Sequence, residues 1–174
     1  MRRSATSRNP SRIIVRNLQR AVRVDVASLQ RFSERAWREC AHIRRAQVTP
    51  LTRLREISVL LISDRRMAAL HQQFLNTAGP TDVITFEHGE IFISVDTARR
   101  HARRFSTSLP REVQLYVVHA LLHLHGFDDQ KTSDARKMAG RQKKILDLLI
   151  TKGHKGRPRS ARPKLSEPRG GRAV

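Results

Sequence analysis

Residues 117–129 read VVHALLHLHGFDD, an apolar run that carries three histidines and ends in two aspartates. The spacing of its valines and leucines predicts a buried helix, where an unpaired imidazole or carboxylate is costly. His119 and His123 are four apart, so on a helix they project from one face about one turn apart, where two imidazoles can share one ion. His125 is rotated by about 200° from His123 and points elsewhere. Gly126 stops the helix, so Asp128 or Asp129 can fold back as a third ligand while its neighbour orients a ligand or a bound water. The helix of a zinc peptidase, H-E-x-x-H, has its general base after the first histidine; here that residue is Ala120, which argues against peptide hydrolysis. Paired histidines at this spacing also occur in ordinary helices. The glycine stop and the aspartate pair are what favour a metal.

Working outward, Leu109-Pro110 opens this helix, expected over 111–125. A last helix is expected over 133–150, with Met138, Ile145, Leu146 and Leu149 on one side and basic residues on the other. On the N-terminal side, RIIVRN (12–17), REISVLLIS (55–63), AGPTDVITF (78–86) and GEIFIS (89–94) read as strands. Helices are expected over 26–43, from Asp64 as cap through Met67, Leu70, Phe74 and Leu75, and over 96–104. Strands and helices do not alternate regularly enough for a purely parallel sheet. The expected fold is therefore α/β (α+β), a mixed sheet of about four strands packed with about five helices in two or three layers.

The chain has 174 residues, enough for one compact domain. Lys and Arg number 35 against 15 Asp and Glu, a net charge of +20 that calls for a polyanionic partner. Residues 1–11 and 151–174 are basic, poor in large apolar side chains and rich in Pro, Gly and Ser, and are expected to be disordered around a domain at 12–150. One cysteine, Cys40, leaves no internal disulfide and no cysteine-based zinc site. There is no run of roughly 18 apolar residues and no secretory signal, so a cytoplasmic protein without membrane contact is expected. Among the other histidines, His42 and His101 are expected at helix surfaces, His88 in a turn and His154 in the tail, while Asp82 is expected to fix the loop entering the third strand.

HALLHLHGFDD resembles the signature of the YbeY endoribonuclease family, H-G-x-L-H-L-x-G-Y/F-D-H. His119, Leu122, His123, Leu124, Gly126, Phe127 and Asp128 stand in register with it. PTDVITF (80–86) is similar to the family's P-T-D-V-L-S-F, and GEIFIS to its G-D-I-x-I-S. The similarity spans roughly residues 12–150. It implies a metal-dependent, single-strand-specific endoribonuclease acting in maturation of the small-subunit ribosomal RNA 3′ end and in ribosome quality control, with RNA and the small ribosomal subunit as partners. It implies one metal, usually zinc, held by His119, His123 and the residue six further on. Here that residue is Asp129 where the family has histidine, and a carboxylate keeps the ligand count while lowering the site's charge by one. Asp128 is the expected orienting group or base. Two further departures are Ala120, where the family has glycine, and Leu75, where its N-x-x-Y-R pattern puts an arginine toward the substrate; His71 and Phe74 fill the first and aromatic positions. A leucine cannot neutralise a phosphate, which motivates an alternative: a ribosome- or RNA-binding member of the same fold with weakened cleavage.

Overall fold

The structure is a computed structural model that describes residues 12–154. The expectations for 1–11 and for the tail from 155 onward lie outside the described residues. The element order is β1 (Arg12–Asn17), α1 (Val26–Ala41), α2 (Pro50–Arg53), β2 (Glu56–Ile62), α3 (Asp64–Leu75), β3 (Val83–Thr85), β4 (Glu90–Ser94), α4 (Val95–Arg104), α5 (Leu109–Leu124) and α6 (Thr132–His154). That is the expected mixed sheet, with one helix more than expected. The extra element, α2, is a single turn started by Pro50, too short to show a hydrophobic period.

The sheet order is β1-β2-β4-β3, with β1, β2 and β4 parallel and β3 antiparallel to β4. Alternation sorts its side chains. Ile13, Val15, Ile57, Val59, Leu61, Ile91 and Ile93 enter the main core with α1, α5 and α6, while Leu60, Ile62, Ile84 and Phe92 face Met67 of α3. The result is three unequal layers, with one helix on one face and the remaining long helices on the other. β4 follows β3 through a tight turn at Gly89, whose φ of +103° favours glycine and where a Cβ would lie 2.8 Å from the Glu56 carbonyl oxygen.

Helix starts follow local chemistry. Asp25, Ser63, Ser94 and Ser108 each accept a hydrogen bond from a first-turn amide. Asp64, expected as a cap, is instead the first residue of α3, because Ser63 takes the capping role. Its carboxylate accepts from Ser94 Oγ (2.5 Å), Thr97 Oγ1 (2.8 Å) and Arg100, and so ties α3 to α4. Burial pushes the Asp64 carboxyl up, but those hydrogen bonds and the Arg100 charge outweigh it and hold it below 3.8. β3 is shorter than expected, because residues 76–82 form a loop braced by His71 Nδ1 against the Gly79 carbonyl at 2.8 Å. Among the described residues no helix is long and apolar enough to cross a membrane.

Candidate metal centre

α5 is the spine of the site. Its apolar residues Val113, Val117, Val118, Leu121, Leu122 and Leu124 are buried in the main core, which fixes the helix's rotation and leaves His119 and His123 partly exposed on the opposite side. The helix ends at Gly126, with φ +78°. The Gly126 amide donates to the His123 carbonyl (2.8 Å) and the Phe127 amide to the Leu122 carbonyl (3.0 Å), a double stop that reverses the chain. Asp128 closes the turn: its Oδ1 accepts from the amides of Asp129 (2.8 Å) and Gln130 (3.2 Å). The returning loop brings the Asp129 carboxylate over the histidines.

His119 Nε2 and His123 Nε2 lie 3.0 Å apart. Asp129 Oδ2 is 3.6 Å from the first and 3.8 Å from the second. Ligand atoms bound tetrahedrally at zinc distances are about 3.3 Å apart, so this triangle has the size of three corners of such a site. The other ring nitrogens fix the tautomers. His123 Nδ1 lies 3.1 Å from the Phe127 carbonyl oxygen, which can only accept, so Nδ1 carries the proton and Nε2 presents a lone pair. His119 Nδ1 is held in the same way by Gln142 Oε1 of α6 at 3.1 Å. Two lone pairs thus converge at 3.0 Å beside a carboxylate, an arrangement that calls for a cation between them. Burial pushes the His119 imidazolium below its ordinary value and the neighbouring His123 adds to this, outweighing Gln142, Asp129 and Asp82. A neutral imidazole is the ligating form. The donor set therefore fits one divalent ion, with nitrogen and oxygen ligands that suit zinc.

The structure brings together His119, His123 and Asp129, the only group of at least three ligand-type side chains that could hold a metal among the described residues. His125 lies on the other side. It is 1% exposed, donates from Nε2 to the Ile43 carbonyl (2.8 Å) and accepts at Nδ1 from Thr49 Oγ1 (3.0 Å). Asp128 is exposed and shapes the turn that presents Asp129. Asp82 Oδ1 accepts from its neighbours Thr81 Oγ1 (3.1 Å) and the Val83 amide (2.8 Å), while its charge reaches His119. His88 stacks on Phe86 and pairs with Glu90 at 3.2 Å. His101 is not a free surface group, because its Nδ1 is 2.7 Å from the Tyr116 hydroxyl, whose pKa burial pushes up so that the phenol keeps its proton. Leu75 is 55% exposed.

Gln142 was not foreseen from the sequence, although a signal existed: a lone amide four residues after buried Met138 and three before buried Ile145, inside an apolar stripe. The Phe127 carbonyl left no signal at all, since every residue carries one.

Comparison with known proteins bears on the same residues. The sequence profile of the family described as Endoribonuclease YbeY matches residues 14–150. An Endoribonuclease YbeY of an Anaeromyxobacter species is 37% identical over 100 residues, 52% of this chain and 52% of that protein. One from Thermus thermophilus is 38% identical over 104 residues, 53% of this chain and 75% of that protein. The match thus spans about half the length of the first relative and three quarters of the second. In fold, the chain is similar to the solution structure of TM1509 from Thermotoga maritima, with a TM-score of 0.58 and 22% identity over 88% of this chain and 99% of that one.

Proposed function

Because the chain belongs to the YbeY endoribonuclease family, we propose that it is a metal-dependent endoribonuclease that cuts single-stranded RNA during ribosomal RNA maturation and ribosome quality control in the cytoplasm. One observation carries the reading: two Nε2 lone pairs 3.0 Å apart converge beside the Asp129 carboxylate. His119, His123 and Asp129 hold one zinc ion. When bound, such an ion polarises a phosphoryl oxygen and lowers the pKa of a coordinated water. Gln142 and the Phe127 carbonyl keep both imidazoles in the ligating tautomer, and Asp128 holds the turn that supplies the carboxylate. Two neutral imidazoles and one carboxylate leave less positive charge than three imidazoles would, so phosphate is drawn less strongly and the water is less acidic.

Metal content and cleavage test this together. Purified wild type is expected to carry one zinc per chain and to cut a single-stranded ribosomal RNA fragment but not its duplex, with activity lost to a chelator. His123→Ala and Asp129→Ala are expected to lose the metal while remaining folded. Wild type without stoichiometric metal, or both variants retaining it fully, would sink the proposal.

A second reading is favoured by Leu75, which is 55% exposed where the family pattern has its arginine. On it, the chain binds RNA on the small ribosomal subunit and cleaves poorly. Leu75→Arg separates the two: a gain in cleavage of about tenfold or more, the scale of one added charge contact to the transition state, favours the weakened enzyme. Unchanged cleavage favours the first reading.

A further inference from the structure

α4 is built unlike the other helices. Val95, Thr97, Ala98 and Ala102 are buried, and its outer face carries Arg99, Arg100, Arg103 and Arg104. Two of these are accounted for by the fold, since Arg99 pairs with Asp96 at 3.5 Å and Arg100 with Asp64. The link through Asp64 also sets the first turn of α3, with exposed Arg65 and Arg66, beside α4. Arg65, Arg66, Arg103 and Arg104 make no ion pair among the described residues.

Helix chemistry does not explain the whole patch. Cations in the last turn of α4 suit its dipole, but Arg65 and Arg66 in the first turn of α3 oppose theirs. Arg99 and Arg103, like Arg100 and Arg104, are four apart and repel. A large aromatic residue ends the ridge in water. Phe105 is 58% exposed, with the Arg104 guanidinium 5.5 Å from its ring centre and His101 against its edge. Ser106 follows with φ +52°, a conformation uncommon outside glycine.

A packed contact ties α4 to the helix that carries the metal centre. His101 of α4 bonds the Tyr116 hydroxyl, and Tyr116 stands three residues before His119 on α5, about 4.5 Å along the axis. Unpaired arginines beside an exposed ring match single-stranded nucleic acid, whose phosphates take the charges and whose bases stack.

We propose that this ridge, Arg65, Arg66, Arg103, Arg104 and Phe105, holds the RNA strand outside the metal centre, with phosphates on the arginines and one base on Phe105. The proposal rests on the endoribonuclease reading, and binding measured without metal separates the two. The full chain is titrated in chelator with fluorescein-labelled oligoadenylate and oligouridylate at several salt concentrations. Arg103→Ala with Arg104→Ala is expected to lower the slope of log affinity against log salt by about 1.4, at about 0.7 per phosphate contact. Phe105→Ala and Phe105→Leu are expected to weaken oligoadenylate binding by about fivefold or more and to narrow its advantage over oligouridylate. The surface substitutions to alanine suit a helix, and a thermal melt confirms folding. Wild-type binding by these variants overturns the proposal, as does an equal loss of slope when Arg31 and Arg38 of α1 are changed to alanine. RNA cut by wild type but held as before by the α4 variants would remove the ridge and leave the enzyme. RNA held through α4 and never cut would do the reverse.

Discussion

Three histidines within two helical turns meet three environments. His119 gives Nδ1 to a side-chain amide, His123 gives it to a backbone carbonyl, and His125 keeps its proton on Nε2 for Ile43. Ring orientation and tautomer, not residue type, divide ligand from structural group. Burial pushes the His125 pKa below 6.5, the Arg45 charge adds to this, and the bond to Ile43 only partly offsets them. The unfolded chain therefore takes up this proton first. It binds more protons than the native state below about pH 6.5, so stability is full above that value and falls as pH drops toward the depressed native pKa. Urea unfolding in chelator at pH 7.5 and 5.5 should show wild type losing stability in acid, and His125→Gln losing less. An equal pH dependence in both would refute the assignment.

At the scale of elements, β1 is an open edge of the sheet, and a side chain closes it. Gln30 of α1 donates to the Ile13 carbonyl (2.7 Å) and accepts from the Val15 amide (2.8 Å), making the two bonds a further strand would make. Glu34 holds it there at 2.8 Å. Edges left bare invite pairing with another chain. Gln30→Leu removes both bonds, each worth about 1 kcal/mol. A loss of about 1–3 kcal/mol of stability, read as a lower urea midpoint, is expected, together with concentration-dependent association in sedimentation velocity; a stable monomer of unchanged midpoint would count against this role.

At the scale of the molecule, the candidate centre is an assembly of parts. α5 gives the histidines, the turn after Gly126 gives Asp129, and α6 gives Gln142, docked through buried Met138, Ile145, Leu146 and Leu149. Metal binding should therefore stabilise the whole domain. Zinc at about a hundredfold excess over its Kd should add about 2.7 kcal/mol, seen as a higher thermal midpoint in wild type and little change in Asp129→Ala. Met138→Ala loosens α6 through a cavity, at about 2–5 kcal/mol. It should also weaken zinc binding without touching a ligand; zinc affinity equal to wild type would show that α6 does not tune the site.

The amino-acid sequence by itself determined what depends on neighbours along the chain. The period of 3.6 put His119 and His123 on one face and His125 off it, Gly126 marked the stop, and β1 came out at 12–17 and β2 to within a residue. Those features rest on backbone geometry and local hydrogen bonds, which a few residues suffice to specify. Tertiary structure alone decided what joins distant segments. It set the strand order with β3 reversed, made loop rather than strand of 78–82, moved the capping role from Asp64 to Ser63 so that Asp64 could bind α4, and brought Gln142 to His119 from 23 residues away. Such pairings depend on how buried faces pack and on which polar groups must then be satisfied, and no local pattern encodes that partner choice.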